Sequence, residues 1–274
     1  MVKITAAEVN NLRKQTGAGM MDCKKALVEA EGNIEKAIEI LRKKGQKVAA
    51  KRGDNEAKEG LAMAMSNGTN GVVVRLNCET DFVAKNDNYI ALVTELTQIA
   101  LDSNAKSIDE LNSQAMAGVT VAEEITNQVG KIGEKLDLSA VNFISADTVV
   151  AYNHPGNQVA TLVGLNQAGD AVKEAGRDVA MQVAAMNPVA LNKDSIPQSV
   201  IDKELEIGRD LAIQEGKPEA MADKIAQGRL GKFFKEATLL DQAFIKDNKS
   251  SVQKYLDGVS KGLTVTEFSR VALS

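Results

Sequence analysis

Four consecutive residues, Thr80-Asp81-Phe82-Val83, combine a hydroxyl, a carboxylate and an aromatic ring in a way that suits contact with another protein. Either polar side chain can cap a helix by accepting a hydrogen bond from one of its unpaired N–H groups. The ring then falls in the first helical turn, where the apolar periodicity does not require a core residue. Two interpretations are open, since Phe82 either packs the helix start onto a sheet or enters a partner protein. We refer to Thr80–Val83 as the Phe82 corner.

A strand and a helix must position the Phe82 corner. Before it, apolar and polar side chains alternate, which predicts a strand with one buried face. That face consists of Val72, Val74, Leu76 and Cys78. After it, apolar residues recur at helical spacing, which predicts one long helix over residues 82–103. Its predicted core positions are Tyr89, Leu92, Val93, Leu96, Ile99 and Ala100.

The Phe82 corner resembles a signature of the bacterial elongation factor Ts family, the guanine-nucleotide exchange factors for elongation factor Tu. A second segment, residues 12–27 (LRKQTGAGMMDCKKAL), resembles the amino-terminal signature of the same family. The two motifs occur in the order found in the family, and a looser resemblance runs along nearly the whole chain. On these residues the chain is identified as a member of that family.

The resemblance implies a cytoplasmic translation elongation factor that binds elongation factor Tu in its GDP-bound and nucleotide-free states. Such a factor promotes GDP release by disturbing the Mg²⁺ and phosphate site of its partner, so that GTP can be loaded. By resemblance, the residues that dislocate the partner's Mg²⁺ are Thr80, Asp81, Phe82 and Val83. The implied partner-binding residues are Leu12, Arg13, Met20, Met21, Lys24 and His154. The factor is not an enzyme, and it needs no cofactor of its own.

Composition and charge agree with a protein that meets one particular protein surface. The 274-residue chain is 44% apolar, carries a net charge of −4 and has a pI of about 5.3. An acidic balance argues against general nucleic-acid binding, because phosphate neutralisation needs a basic face. No run of about 18 apolar residues favours membrane insertion. The two cysteines, Cys23 and Cys78, are predicted to be reduced and buried.

The residues needed for common active sites are missing from the sequence. No phosphate-binding loop pattern occurs, so we expect no direct binding of nucleotide. The single histidine, His154, argues against histidine-rich metal sites and against most nucleophile–histidine arrangements. The carboxylates do not gather into a pair for acid–base catalysis. We expect neither a metal site nor catalytic residues.

Residues 1–52 are predicted to form a three-helix module similar to the ubiquitin-associated fold. Short apolar stripes at helical spacing mark the three helices, and the third is expected to end at Gly45. Met20 and Met21 are expected in the loop after the first helix. The predicted core does not need them there, and they suit an adaptable contact surface, although one of them can equally be a core residue.

The remainder is predicted to be an α+β core with a protruding antiparallel helical hairpin. A β-hairpin followed by a helix occurs twice, over residues 61–103 and 149–186, which suggests two related halves. The predicted divisions are 53–145 for the first half, 146–194 with 240–274 for the second, and 195–239 for the helical hairpin. Gly216-Lys217-Pro218 separates the two helices of that hairpin.

Two other functions compete with nucleotide exchange. The first is an adaptor that binds a ubiquitin-like partner through the three-helix module, which leaves the larger part of the chain unexplained. The second is an uncharacterised α+β enzyme, which the missing catalytic residues disfavour.

Overall fold

The structure is a computed structural model that describes residues 4–273 in two compact units. The first unit contains the chain up to Met63, Val74–Asn142 and the chain end from Ala272, and the second contains Ala64–Val73 and Phe143–Val271. The helices are α1 (Ala6–Thr16), α2 (Met20–Glu29), α3 (Ile34–Arg52), α4 (Asp81–Ala84), α5 (Asp87–Ser103), α6 (Ile108–Asn112), α7 (Val121–Ile132), α8 (Asp170–Met186), α9 (Gln198–Gln214), α10 (Glu219–Ala237) and α11 (Val252–Val259).

The strands form two three-stranded sheets and two short two-stranded ones. They are β1 (Glu59–Ser66), β2 (Asn70–Cys78), β3 (Ala115–Met116), β4 (Val119–Thr120), β5 (Leu136–Ser145), β6 (Thr148–Asn153), β7 (Val159–Leu165), β8 (Ala243–Phe244), β9 (Asp247–Ser251) and β10 (Val265–Ala272). One sheet has the order β1-β2-β5 and the other has the order β10-β7-β6. This mixture of helices and sheets confirms the predicted α+β class.

The first three helices enclose a small apolar core of their own. Thr5 and Glu8 form a capping box that begins α1, and Gly17 ends it in the left-handed conformation. The core consists of Val9, Leu12, Ala18, Cys23, Ala26, Leu27, Ala30 and Ala37. The methionine pair, predicted to lie in a loop, instead opens α2, since the helix begins at Met20 directly after Gly19.

Helix α3 does not end at Gly45, contrary to the prediction from sequence, but continues to Arg52. The reason is a helix crossing, because Gly45 lies against Gly130 of α7. A glycine normally weakens a helix by about 0.5–1 kcal/mol relative to alanine. Here the packing of α3 on α7 stabilises the helix in spite of that cost.

The single helix predicted over residues 82–103 is also wrong, because the chain forms two helices there. Helix α4 is one turn long, and α5 begins afresh at Asp87. Asn86 separates the two, since its side-chain oxygen accepts a hydrogen bond from the Asn88 N–H at 2.9 Å and caps α5. The buried face of α5 contains Tyr89, Leu92, Val93, Leu96, Thr97, Ala100 and Leu101.

The second unit repeats the order of a β-hairpin followed by a helix. Strands β6 and β7 are antiparallel, with Thr148 opposite Leu165 and Asn153 opposite Ala160, and α8 packs on both strands. The core around them contains Val163, Leu165, Val172, Ala175, Val179, Ala180, Val183, Leu239, Phe244, Val252, Leu256, Leu263 and Val265. Phe244 stacks on Tyr255 at a centroid distance of 4.1 Å.

Helices α9 and α10 form the predicted helical hairpin. Small buried residues allow a close approach, and a Cβ atom at Gly208 would lie 3.2 Å from the Ala226 Cα atom. Arg229 Nη2 and Glu215 Oε1 form an ion pair at 2.8 Å near the turn. The four predicted domain divisions, as distinct from these elements, remain predictions. Within residues 4–273, no helix is long and apolar enough to cross a membrane.

Candidate functional site

Phe82 lies on a single helical turn at the end of β2 and is 83% exposed. With Val83 it lines one side of a cavity of about 750 Å³, to which Tyr89 and Met116 also contribute. Large aromatic side chains are usually buried, so an exposed ring on an ordered turn calls for an explanation. The structure does not show the ring packed in the core, which was the other interpretation of its position in the sequence.

Thr80 holds the beginning of α4 through its side chain. The Thr80 hydroxyl accepts a hydrogen bond from the Val83 N–H at 3.4 Å, as an N-cap residue does. The same hydroxyl donates to Glu134 Oε1 at 2.7 Å. The prediction that Thr80 or Asp81 caps a helix is thus confirmed for Thr80, and the capped helix is the short α4.

Glu134 receives three hydrogen bonds, two from Thr80 of the Phe82 corner and one from Glu79, the residue before it. Its Oε2 atom accepts from the Glu79 N–H at 3.2 Å and from the Thr80 N–H at 3.0 Å, in addition to the hydroxyl contact. Glu134 directly follows Gly133, which ends α7 in the left-handed conformation at φ 82°. This turn at the end of α7 brings the carboxylate to the start of the corner.

Glu79 makes the reciprocal contact. Its Oε1 atom accepts from the Lys135 N–H at 2.6 Å, and its two oxygens accept from Arg52 Nη1, each at 2.9 Å. Asn55 Nδ2 donates to Oε2 at 3.0 Å. These donors hold the pKa of Glu79 below its usual range, the Lys135 N–H contributing most. The end of α3, the end of β2 and the chain after α7 therefore meet at this carboxylate.

Asp81 is paired within its own turn. Lys85 Nζ lies 2.6 Å from Asp81 Oδ2, and both side chains are substantially exposed. This hydrogen bond to the Lys85 ammonium lowers the pKa of Asp81, and the pKa of Lys85 is raised in return. Since exposed pairs contribute little to stability, the pair is available to exchange its contacts for others.

Beneath the corner, two buried groups fix the end of β2. Cys78 Sγ donates to the Thr80 carbonyl oxygen at 3.2 Å, and burial raises the pKa of this thiol to about 11. The Tyr89 hydroxyl donates to the Leu76 carbonyl oxygen at 2.7 Å, and burial raises its pKa as well. Both groups stay protonated at neutral pH, so they act as structural donors.

The predicted partner-binding residues of the amino-terminal helices divide into exposed and buried ones. Arg13, Met20, Met21 and Lys24 are exposed, with 51% of Met20 and 64% of Met21 accessible. Leu12 is 0% exposed. The assignment of Leu12 as a contact residue is therefore corrected, because its side chain packs inside the three-helix core and cannot reach a partner from there.

His154 lies in the second unit, in the turn between β6 and β7. Its N–H donates to the Val159 carbonyl oxygen at 2.9 Å, and its Nδ1 atom lies 3.1 Å from the Tyr152 hydroxyl. The side chain is exposed, beside a cavity of about 430 Å³ that is also lined by Tyr152, Met181 and Ile245.

The sequence analysis missed the residues that support the corner. None of Glu134, Arg52 and Lys135 was predicted to lie beside the corner, because they join segments far apart in the chain; Glu134 and Thr80 are separated by 54 positions. The one local signal was Gly133-Glu134, a glycine that ends a helical pattern followed by a carboxylate.

The groups at the Phe82 corner are suited to binding another protein. It offers an exposed ring, an ion pair and a firmly held backbone. Among the residues that the structure describes, no group of three or more His, Cys, Asp or Glu side chains could hold a metal ion.

A family model and individual known proteins both match this chain, and they carry the same family name. The family model described as Elongation factor TS matches residues 79–274, beginning at the residue before the Phe82 corner. Elongation factor Ts of Christiangramia forsetii is 55% identical over 275 residues, covering 100% of both chains. The proteins of the same name from Amoebophilus asiaticus and Flavobacterium psychrophilum are 53% identical over 98% of both chains and 50% identical over 100% of both chains.

Proposed function

Since the chain belongs to the elongation factor Ts family, a family of translation elongation factors, we propose that it binds elongation factor Tu carrying GDP and promotes release of that GDP. Factors of this family act in protein biosynthesis as nucleotide exchange factors. The family name denotes an exchange factor and not a catalytic enzyme. The family implies elongation factor Tu as the partner. The nucleotide states that are bound, and the way in which GDP is driven out, are part of the proposal.

The observation that carries the proposal is the exposure of Phe82 on a turn whose backbone is held by hydrogen bonds. A ring that is 83% exposed loses apolar contact with water when it enters a partner. Burying an aromatic side chain is worth about 1.5–3 kcal/mol. The short α4 presents the ring from a fixed backbone, so little conformational freedom is lost on binding.

The proposed mechanism is a competition between two ligands of elongation factor Tu. GDP is held by backbone N–H groups around its phosphates and by Mg²⁺, which neutralises the phosphate charge. A factor that binds the nucleotide-free state more tightly than the GDP-bound state lowers the affinity of elongation factor Tu for GDP. Bound GDP lowers the affinity of elongation factor Tu for the factor by an equal amount. The Phe82 corner would supply this difference by entering beside the Mg²⁺ site. The factor itself then needs no contact with the nucleotide.

Two further surfaces are proposed to hold the partner while the corner acts. Arg13 of α1 and three residues of α2, Met20, Met21 and Lys24, are exposed and offer flexible apolar and basic side chains. Methionine suits such a surface because its side chain adapts to irregular contacts. The exposed His154 turn would contribute contacts from the second unit.

The adaptor function for a ubiquitin-like partner accounts only for the three-helix module. It leaves the family match over residues 79–274 unexplained. No observation on the described residues favours it.

The test of the proposal is a GDP-release experiment. Elongation factor Tu is loaded with a fluorescent GDP, and its release into excess unlabelled GDP is followed with and without this protein. Acceleration that saturates with the concentration of the factor is expected. Calorimetry with GDP and the factor alone is the control, and it should detect no binding. A release rate unaffected by the factor, or a micromolar GDP site on the factor itself, would contradict the proposal.

A further inference from the structure

Two chain segments at the start of the Phe82 corner are joined by reciprocal hydrogen bonds, in which a carboxylate of each segment accepts from backbone N–H groups of the other. Glu134 accepts hydrogen bonds from the Glu79 and Thr80 N–H groups at 3.2 and 3.0 Å. Glu79 accepts a hydrogen bond from the Lys135 N–H at 2.6 Å. We call this reciprocal arrangement of residues 79–80 and 134–135 the carboxylate clasp. Hydrogen bonds to ionised acceptors are stronger than neutral ones, so the clasp fixes both segments.

The Thr80 hydroxyl group links the carboxylate clasp to the first turn of α4. Thr80 Oγ1 donates to Glu134 Oε1 at 2.7 Å and accepts from the Val83 N–H at 3.4 Å. A carboxylate that accepts the Thr80 proton fixes the direction of the hydroxyl, which leaves a lone pair for the helix N–H. Glu134 therefore acts on the turn that carries Phe82 without touching the ring.

Such support is needed because α4 is too short to be stable alone. A single helical turn fixes several dihedral angles for very few hydrogen bonds, which makes an isolated turn unfavourable. Phe82 adds little packing, since the ring is mostly exposed, and only Ala84 of this helix is buried. The backbone of the corner therefore depends on contacts from outside the helix.

We propose that Glu134 is a positioning residue for nucleotide exchange, which holds the Phe82 corner in the conformation that enters the partner. The inference rests on the proposed function and assigns it a residue outside the corner. Loss of the carboxylate leaves Phe82 in place but lets its turn sample other conformations. The other proposed contact surfaces still hold the partner, so the complex forms as before. Only the fraction of complexes with a competent corner then releases GDP, which lowers the maximal release rate by that fraction.

The experiment compares Glu134→Ala with a matched variant at the other end of α7. Glu123 Oε2 accepts from the Thr120 N–H at 3.0 Å and from the Thr120 hydroxyl at 3.2 Å, so it makes the same kinds of contact away from the corner. For each variant, GDP release from elongation factor Tu is measured over a range of factor concentrations. The fit separates the maximal release rate from the concentration that gives half of it.

The expected result is specific to positioning. Glu134→Ala lowers the maximal rate about 10-fold, as for the loss of a charge-assisted hydrogen bond, with little change in the half-saturating concentration. Glu134→Gln restores most of the rate, because its amide oxygen can accept from the N–H groups while its amide nitrogen donates to the hydroxyl. Glu123→Ala keeps the wild-type rate per folded molecule.

A double variant separates action through Phe82 from a general effect on the fold. If Glu134 acts through the ring, Glu134→Ala combined with Phe82→Ala is no slower than Phe82→Ala alone. A double variant slowed by the full product of the two single effects overturns the proposal. Should Glu134→Ala fail to fold, Glu134→Met, which keeps the length of the side chain and removes its acceptor oxygens, replaces it in the same comparison.

The two ideas fail in different ways. A wild-type factor that does not accelerate release overturns the proposed function. A slow Phe82→Ala variant alongside a Glu134→Ala variant of wild-type rate overturns only the role of Glu134.

Discussion

Gly45 of α3 lies directly against Gly130 of α7, and a Cβ atom added to Gly130 would fall 2.5 Å from the Gly45 Cα atom. A Cβ atom added to Gly45 would meet nothing closer than 3.5 Å, which is an ordinary van der Waals distance. The crossing therefore depends on one of the two glycines more than on the other. It joins the amino-terminal helices to α7, whose end leads to Glu134.

Alanine at the two positions should consequently give opposite results. We expect Gly130→Ala to lower the free energy of unfolding by about 1–3 kcal/mol, as for overpacking of a close contact. Gly45→Ala should be neutral, or should stabilise by up to about 1 kcal/mol through its better helix propensity. Urea denaturation of both variants checks this. Equal destabilisation by the two would contradict this account, because it would mean that Gly45 also has no room for a Cβ atom.

The exposed methionines should matter for binding and not for folding. We expect Met20→Ala and Met21→Ala each to weaken binding to nucleotide-free elongation factor Tu by about 10-fold, if each side chain loses most of its burial in the partner. Melting temperatures should change little. Calorimetric titration of the partner with each variant measures the affinity.

Leu27→Ala on the same helix is the matched control, since Leu27 is fully buried. It should lower the free energy of unfolding by about 2–5 kcal/mol and leave the affinity of the folded protein unchanged. If the methionine variants behaved like Leu27→Ala instead, the side chains would have to be reassigned to internal packing.

Local spacing of apolar residues predicted some elements of this structure but not the contacts between elements. Alternating apolar spacing predicted a strand whose buried face ends at Cys78, and β2 ends at that residue. Such spacing reports local geometry, so it cannot show a contact such as that of Gly45 with Gly130, and the end of α3 was misplaced. A family motif likewise does not distinguish an exposed member from a buried one, which is why Leu12 was placed with Met20. Glu134 lay beyond any local pattern, because its partner is 54 positions away.

Acid should weaken the carboxylate clasp at Glu79. Its pKa is lowered in the folded state, chiefly by the Lys135 N–H and with help from Arg52, below the value of about 4.3 expected in the unfolded chain. The ionised form therefore stabilises the fold above that value, and this contribution is lost as the pH falls through the folded-state pKa.

Glu79→Gln gives the comparison, because it keeps the shape and removes the charge. We expect wild-type protein to be more stable than the variant by a constant amount above about pH 5, with the difference shrinking below about pH 4. Urea denaturation from neutral to acidic pH measures both free energies. A difference independent of pH would mean that the Glu79 charge adds nothing to the clasp.

Phe82→Ala tests the central claim, that the exposed ring drives nucleotide exchange. Leu96→Ala is its control, because Leu96 is fully buried on α5. A thermal melt and a GDP-release trace are recorded for both variants on the same samples. Loss of about 1.5–3 kcal/mol of burial in the partner predicts that Phe82→Ala slows release about 10- to 150-fold with little change in melting temperature. Leu96→Ala should show the reverse. Its free energy of unfolding should fall by about 2–5 kcal/mol, and its GDP-release rate per folded molecule should equal that of the wild type. A large melting shift for Phe82→Ala, with release per folded molecule unchanged, would contradict the account.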